Sequence, residues 1–218
     1  MQIESILRNK KVKILLLPLF GFFIFILFYI IAAYKYPGGS WAFPNHDSFS
    51  FWNNYLCDLL DTYAINGKLN VARHYARVSL GFLSASIILI WLYLPNLFEA
   101  KSFNLSMMRV TGILSLVIIM FLASGTHDLI VRIAGIFGTT ALITSFFEFY
   151  KARFYKILFL GLFSFLIFIL NYYIYETGWN IKYLPIIQKI TFSSFIVWLT
   201  SLDILLIKYL RTLSNDII

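Results

Sequence analysis

Residues 14–34 read ILLLPLFGFFIFILFYIIAAY, an apolar run without a charged side chain that follows the basic residues Arg8, Lys10, Lys11 and Lys13. A helix of about 20 apolar residues is long enough to cross the hydrocarbon core of a bilayer. The basic start resembles a signal peptide, but the run is longer than a signal h-region and no A-x-A cleavage site follows it. We predict that this run is a retained first membrane span.

Five further apolar runs follow, and the six predicted spans are 14–34, 77–98, 107–125, 129–150, 157–175 and 186–208. The chain is 60% hydrophobic and 13% charged, whereas a soluble domain carries about 25% charged residues. The sequence therefore predicts an all-α polytopic membrane protein. We expect residues 1–218 to form one membrane domain, a bundle of six transmembrane helices.

The basic residues predict the orientation of this bundle. Eleven of the 18 Lys and Arg residues fall on the side of the two termini and seven on the opposite side. The positive-inside rule then places both termini in the cytoplasm, and we expect the membrane to be a bacterial inner membrane. Because the charges stand at span ends, the net charge of +8 does not indicate nucleic acid. The expected partners are the lipid bilayer and its headgroups.

The polar segment 35–76 is predicted to form an outer cap. Apolar side chains recur within it at spacings of three and four residues, at Trp52, Tyr55, Leu56, Leu59 and Leu60. This spacing predicts a short amphipathic helix that lies on the bilayer surface.

Several acidic, basic and histidine residues fall on the predicted outer face. We expect them to line one polar opening at the outer end of the bundle, the outer mouth: His46, Asp47, Asp58, Asp61, Arg73, His74, Arg77, His127 and Asp128. Arg73 and Arg77 are four residues apart, share a helical face and suit a lipid phosphate. The alternative is that they anchor the helix at the interface or pair with acidic residues of the cap.

The residues of the outer mouth suggest two possible catalytic sites, a zinc site and a site for acid–base catalysis. His46, His74 and His127 with one water would make an open catalytic zinc site, although spacings of 28 and 53 residues carry no local metal-binding pattern. The alternative is that the histidines are hydrogen-bonded loop residues. In an enzyme, the candidate catalytic residues are Asp58, Asp61, His74 and His127, with an aspartate as general base.

Two ion pairs are expected to be structural. Asp128 and Arg132 are four residues apart at the start of the fourth span. Asp203 lies within the sixth span, and Arg109, Lys208 or water are its candidate partners. An acid inside a membrane span is a candidate functional group, so a role for Asp203 beyond pairing stays open.

The layout resembles an uncharacterised bacterial family of six-span integral membrane proteins, a domain of unknown function distantly related to the damage-regulated autophagy modulators. The segment Asn54-Tyr55-Leu56-Cys57-Asp58-Leu59-Leu60 and the triplet Thr126-His127-Asp128 carry the resemblance. It implies a six-span bundle and no particular activity.

A weaker resemblance is to the alkaline ceramidase and adipoQ-receptor superfamily of intramembrane zinc hydrolases. Asn54-Tyr55, followed by Asn66 and Asn70, is similar to the ceramidase Asn-Tyr segment. The chain differs in having six predicted spans instead of seven and in lacking a close histidine pair on a late helix. No zinc ligand is assigned from this resemblance.

Three functions remain as hypotheses. The first is a protein that binds a lipid or amphiphile headgroup at its outer polar site, in envelope sensing or assembly. The second is a membrane-embedded hydrolase or transferase, with or without a metal ion, that acts on a lipid. The third is a small-molecule transporter, which requires polar residues that continue through the bundle to Asp203.

Overall fold

Helices account for most of the computed structural model, which describes residues 11–98, 102–122 and 127–215. Within these ranges the helices are α1 Leu16–Lys35, α2 Arg73–Tyr93, α3 Phe103–Ile119, α4 His127–Lys151, α5 Tyr155–Thr177 and α6 Leu184–Asn215. Among the described residues, five helical segments are long and apolar enough to cross a membrane, and α3, with 17 residues, is a shorter apolar helix. The chain is an all-helical, multi-pass membrane protein.

Local sequence explains where several helices begin and end. Pro37 restricts the residue before it to extended backbone, and Tyr36 accordingly ends α1 with φ −68° and ψ 128°. The Ser102 side chain accepts a hydrogen bond from the backbone N–H of Leu105 and caps the start of α3. Gly178 ends α5 in the left-handed region, with φ 71°.

Small residues let neighbouring helices approach closely. A side chain at Gly21 of α1 would collide with the Ser86 hydroxyl of α2, and a Cβ at Gly161 of α5 would lie 2.7 Å from the indole nitrogen of Trp198 on α6. The Trp198 indole N–H donates to the Ile157 carbonyl oxygen at 3.0 Å. Close contact of this kind is how helices associate in a membrane, where lipid competes for apolar surfaces.

The bundle has two different ends. Residues 36–72, here called the cap, connect α1 to α2, and we call the end of the bundle beneath them the cap end. The opposite end, where α1 begins and α6 finishes, is the terminal end. One apolar cluster fills the bundle around Trp198, Phe149 and Met108, and a second, around Leu59, Leu60 and Tyr36 of the cap, packs the cap against α1 and α2.

The predicted amphipathic helix of the cap is wrong. Residues 51–60 form turns, and the one helical turn among them is a 3₁₀ turn at Cys57–Leu59. The Asn54 side chain accepts a hydrogen bond from the backbone N–H of Ser50, and the Asp58 side chain accepts one from the backbone N–H of Tyr55. Both hydrogen bonds compete with those of a helix. The apolar residues also do not form one buried face, since Trp52 is exposed while Leu59 is buried.

Some helix bounds differ from the predicted spans. α2 begins at Arg73 instead of residue 77, and α6 continues to Asn215, beyond residue 208. The predicted span 107–125 corresponds to α3, which ends at Ile119, and residues 123–125 of that span lie outside the described residues.

Candidate functional site

Asn54 organises the interior of the cap. Its amide nitrogen donates to the Gly39 carbonyl oxygen at 2.7 Å and to the Asp58 carboxylate at 2.9 Å, and its amide oxygen accepts the Ser50 N–H at 2.8 Å. Gly39 has φ 83°, and a Cβ there would lie 2.5 Å from the backbone nitrogen of Asn66. The turn at Pro37-Gly38-Gly39 therefore folds the cap back over Asn54.

Asp58 is buried beside Asn54, with 5% of its surface exposed. Its Oδ2 accepts hydrogen bonds from the Asn54 amide and from the backbone N–H of Tyr55, each at 2.9 Å. Burial raises the pKa of Asp58 to about 6, although these two hydrogen bonds act in the opposite direction. Burial together with Asp58 also raises the pKa of the Cys57 thiol to about 12, so this cysteine is not an activated nucleophile.

Helix α6 holds the cap through a buried lysine. The Lys189 ammonium donates to the carbonyl oxygens of Asn54 at 2.6 Å and Pro185 at 2.9 Å. It also faces the rings of Phe49 and Phe51, with 5.8 and 5.2 Å to the ring centroids. Sequence reasoning counted Lys189 only as a span-end charge. A lysine a few residues inside an apolar span is energetically unfavourable unless its ammonium group has partners. Its position in the sequence could therefore have indicated that Lys189 binds other groups.

Asn70 and the two arginines close the cap onto α2. The Asn70 amide nitrogen lies 3.2, 3.3 and 2.9 Å from the carbonyl oxygens of Asp58, Leu59 and Asp61. Arg77 donates from Nε and Nη2 to the Leu60 carbonyl oxygen at 3.1 and 2.9 Å, and Arg73 donates to the Thr62 carbonyl oxygen at 3.3 Å. Both guanidinium groups thus bind cap carbonyls, and a phosphate-binding role for them stays a prediction.

The predicted catalytic and metal residues do not converge as a set. Partial burial raises the pKa of Asp61, and its nearby residues His127 and Arg77 act in the opposite direction. His74 is exposed at the start of α2, and Asp58 lies inside the cap. His46 is exposed, with Nδ1 2.9 Å from the Ser48 carbonyl oxygen.

A zinc site does not fit the described part of the chain. Among those residues, no group of three or more His, Cys, Asp and Glu side chains comes together in a way that could hold a metal ion. A tetrahedral zinc centre needs three or four such donors around one point. His46, His74 and His127 do not supply them in this arrangement.

Neither predicted ion pair forms among the described residues. Arg132 makes a two-pronged contact with Glu176 of α5, at 3.1 Å for each nitrogen–oxygen pair, instead of pairing with Asp128. Asp128 contacts His127 at 3.2 Å and accepts a hydrogen bond from the Tyr175 hydroxyl. Neither oxygen of the Asp203 carboxyl contacts a partner among the described residues, and Arg109, its predicted partner, is exposed on α3.

A shallow groove lies where α5 meets α6 at the cap end. It has a volume of about 390 Å³ and is lined by Leu170, Ile174, Trp179, Asn180, Tyr183, Ile186 and Ile187. Trp179 and Tyr183 are more than half exposed at its rim. The ammonium group of Lys182 lies 4.9 Å from the centroid of the Tyr183 ring, which places a positive charge beside an almost wholly apolar groove.

No family model matches this chain, and no match was found among curated proteins or solved structures.

Proposed function

We propose that this protein binds an amphiphile, with an apolar chain in the groove between α5 and α6 and an anionic headgroup beside Lys182. In this proposal the membrane is a bacterial inner membrane, the cap faces outwards and both termini are cytoplasmic. The groove carries the proposal: it is an open depression of about 390 Å³ lined almost wholly by apolar side chains, and Lys182 lies beside it.

The chemistry of the groove matches an amphiphile at the membrane interface. Leu170, Ile186 and Ile187 offer aliphatic surface to a hydrocarbon chain. Trp179 and Tyr183 are the residue types that concentrate where the bilayer meets water. Lys182 is exposed at the same level and forms no ion pair among the described residues, so its charge is available to a phosphate or carboxylate.

The geometry favours binding over hydrolysis. A hydrolase would need Asp58, Asp61, His74 and His127 around one enclosed pocket. Asp58 is instead hydrogen-bonded inside the cap, and His74 is exposed on α2. Transport is also less favoured, because the hydroxyls of Thr191, Ser194 and Ser201 on α6 donate to carbonyl oxygens of their own helix.

Native mass spectrometry of the detergent-purified chain with added phosphatidylglycerol tests the proposal. We expect one lipid to be retained, and Ile187→Trp to abolish its retention by filling the groove. Ile190→Trp is the matched control, because Ile190 lies on the same helix, is exposed and does not line the groove. Equal lipid retention by both variants would contradict the proposed site.

The headgroup preference has its own test. Lys182→Glu is expected to lower retention of phosphatidylglycerol at least several-fold, with little effect on a zwitterionic phosphatidylcholine. Lys68→Glu is the control, because Lys68 is an exposed lysine of the cap and does not line the groove. An unchanged preference in Lys182→Glu would show that the headgroup lies elsewhere.

A further inference from the structure

Asp203 is buried and has no hydrogen-bond partner in the part of the chain that the structure describes. None of its surface is exposed, and neither Oδ1 nor Oδ2 has a partner among the described residues. Leu199, Leu202, Leu206 and Ile207 of the same helix are buried around it. Buried polar groups are nearly always hydrogen-bonded, so an acid in this condition requires an explanation.

Several polar groups of α6 and of the terminal end have partners of their own. On α6, the Trp198 indole donates to the Ile157 carbonyl oxygen and the Ser201 hydroxyl to the Val197 carbonyl oxygen. At the terminal end, the Lys11 ammonium lies 3.4 Å from the Asn96 amide oxygen. Lys151 pairs with Glu148 at 3.1 Å. Among the described residues, no ion pair includes Asp203.

An ionised carboxylate is costly in these surroundings. Moving a charge from water into the interior costs several kcal/mol even after relaxation, and a partner must offset that cost. A metal cation would need several oxygen ligands, and the described residues show no cluster of three or more metal-ligating side chains. A proton neutralises the group without any further ligand.

We propose that Asp203 is a proton-binding site within the membrane-spanning bundle, where its carboxyl group is neutral at physiological pH. The site lies 19 residues after Leu184, about 28 Å along the helix, and so near the terminal end of a hydrocarbon core about 30 Å thick. Its nearest charged residue further along α6 is Lys208, about 7.5 Å on and exposed. Release of the proton requires water or a cation to reach the carboxyl, which couples release to local opening of the bundle at this end.

Infrared difference spectroscopy of the full chain in nanodiscs at neutral pH tests the assignment. The spectrum of the wild type minus that of Asp203→Leu should contain the carbonyl stretch of a protonated carboxylic acid. That band should shift on exchange into deuterium oxide only slowly, because the group is buried. The pair of carboxylate stretches in its place would overturn the proposal.

A second variant of Asp203 and a variant of another buried acid control for an effect of misfolding on the spectrum. Asp203→Asn keeps the size of the side chain and should remove the same acid band. Glu148 is also buried but accepts hydrogen bonds from Lys151 and Asn104, so Glu148→Gln should remove carboxylate bands instead. An acid band that persists in both Asp203 variants would mean that the proton belongs to another group and would refute the site.

Discussion

Lys189 of α6 donates a hydrogen bond to the backbone carbonyl oxygen of Asn54 at 2.6 Å, a contact between residues 135 positions apart in the chain. The adjacent Gln188 side chain accepts the backbone N–H of Leu56 at 2.7 Å. These two contacts attach the cap to the last helix, and Arg77 attaches it to α2. The cap is therefore a folded lid on one end of the bundle, built around buried polar groups.

Lys189→Met is expected to loosen the cap. The variant keeps the aliphatic stem but removes the hydrogen bonds to Asn54 and Pro185, and a hydrogen bond to a charged group contributes about 1.5–3 kcal/mol. We expect a lower thermal midpoint in detergent and faster proteolysis within the cap. Lys68→Met is the control, because Lys68 is exposed and its side chain supports no comparable network. Equal protease resistance in the two variants would show that Lys189 does not hold the cap.

Asp58 should make the stability of the cap depend on pH. Its pKa is about 6 in the folded cap, against an ordinary value of 3.8, so the folded state holds its proton up to a higher pH than the unfolded state does. Stability is then greatest below pH 4 and decreases as pH rises through 6. A difference of about 2 pH units corresponds to about 3 kcal/mol.

Hydrogen exchange of cap amides between pH 4 and pH 7, corrected for intrinsic exchange rates, measures this dependence. Asp58→Asn is the control, because it keeps an oxygen for the Asn54 and Tyr55 donors and cannot ionise. We expect the wild-type cap to lose protection relative to the variant as pH rises. Parallel profiles in the two proteins would contradict a buried, titrating Asp58.

The predictable part of this structure is the part that depends on local sequence. The apolar runs predicted where the helices lie, because whether a run is long enough to span a membrane depends on that run alone. The cap depends on contacts between distant residues, such as Asn54 with Lys189 and Asn54 with Gly39. No rule based on sequence spacing predicts that such distant residues are in contact. The amphipathic pattern at 52–60 was misleading because the side chains of Asn54 and Asp58 bind nearby backbone N–H groups and replace helical bonds.

The same limit applies to the candidate site. Sequence reasoning placed polar residues on a common face, and the structure brings Asp61 near His127 and Arg77. It could not show that Arg73 and Arg77 are occupied by cap carbonyls. The groove between α5 and α6 was not predicted, because aliphatic and aromatic residues at a span end are the ordinary composition of a membrane helix.

Gly161→Ala should destabilise the bundle. Its Cβ would lie 2.7 Å from both the Trp198 indole nitrogen and a ring carbon of Phe146, and overpacking of this kind costs about 1–3 kcal/mol. Gly135→Ala is the matched control, because a Cβ there meets nothing within 4 Å and alanine favours the helix. Thermal unfolding in one detergent should rank Gly161→Ala below the wild type and Gly135→Ala at or above it. A tolerated Gly161→Ala would refute close packing of α5 against α6.

Asp203→Leu should stabilise the protein. A buried polar group without a hydrogen bond costs about 1–3 kcal/mol in protein mutational data, and leucine matches the apolar residues around Asp203. Asp203→Asn is expected to leave the thermal midpoint almost unchanged, because an unpartnered amide replaces an unpartnered acid. A midpoint that falls in Asp203→Leu would mean that the carboxyl has a partner in the folded protein. A gain would agree with a buried acid that has no hydrogen-bond partner.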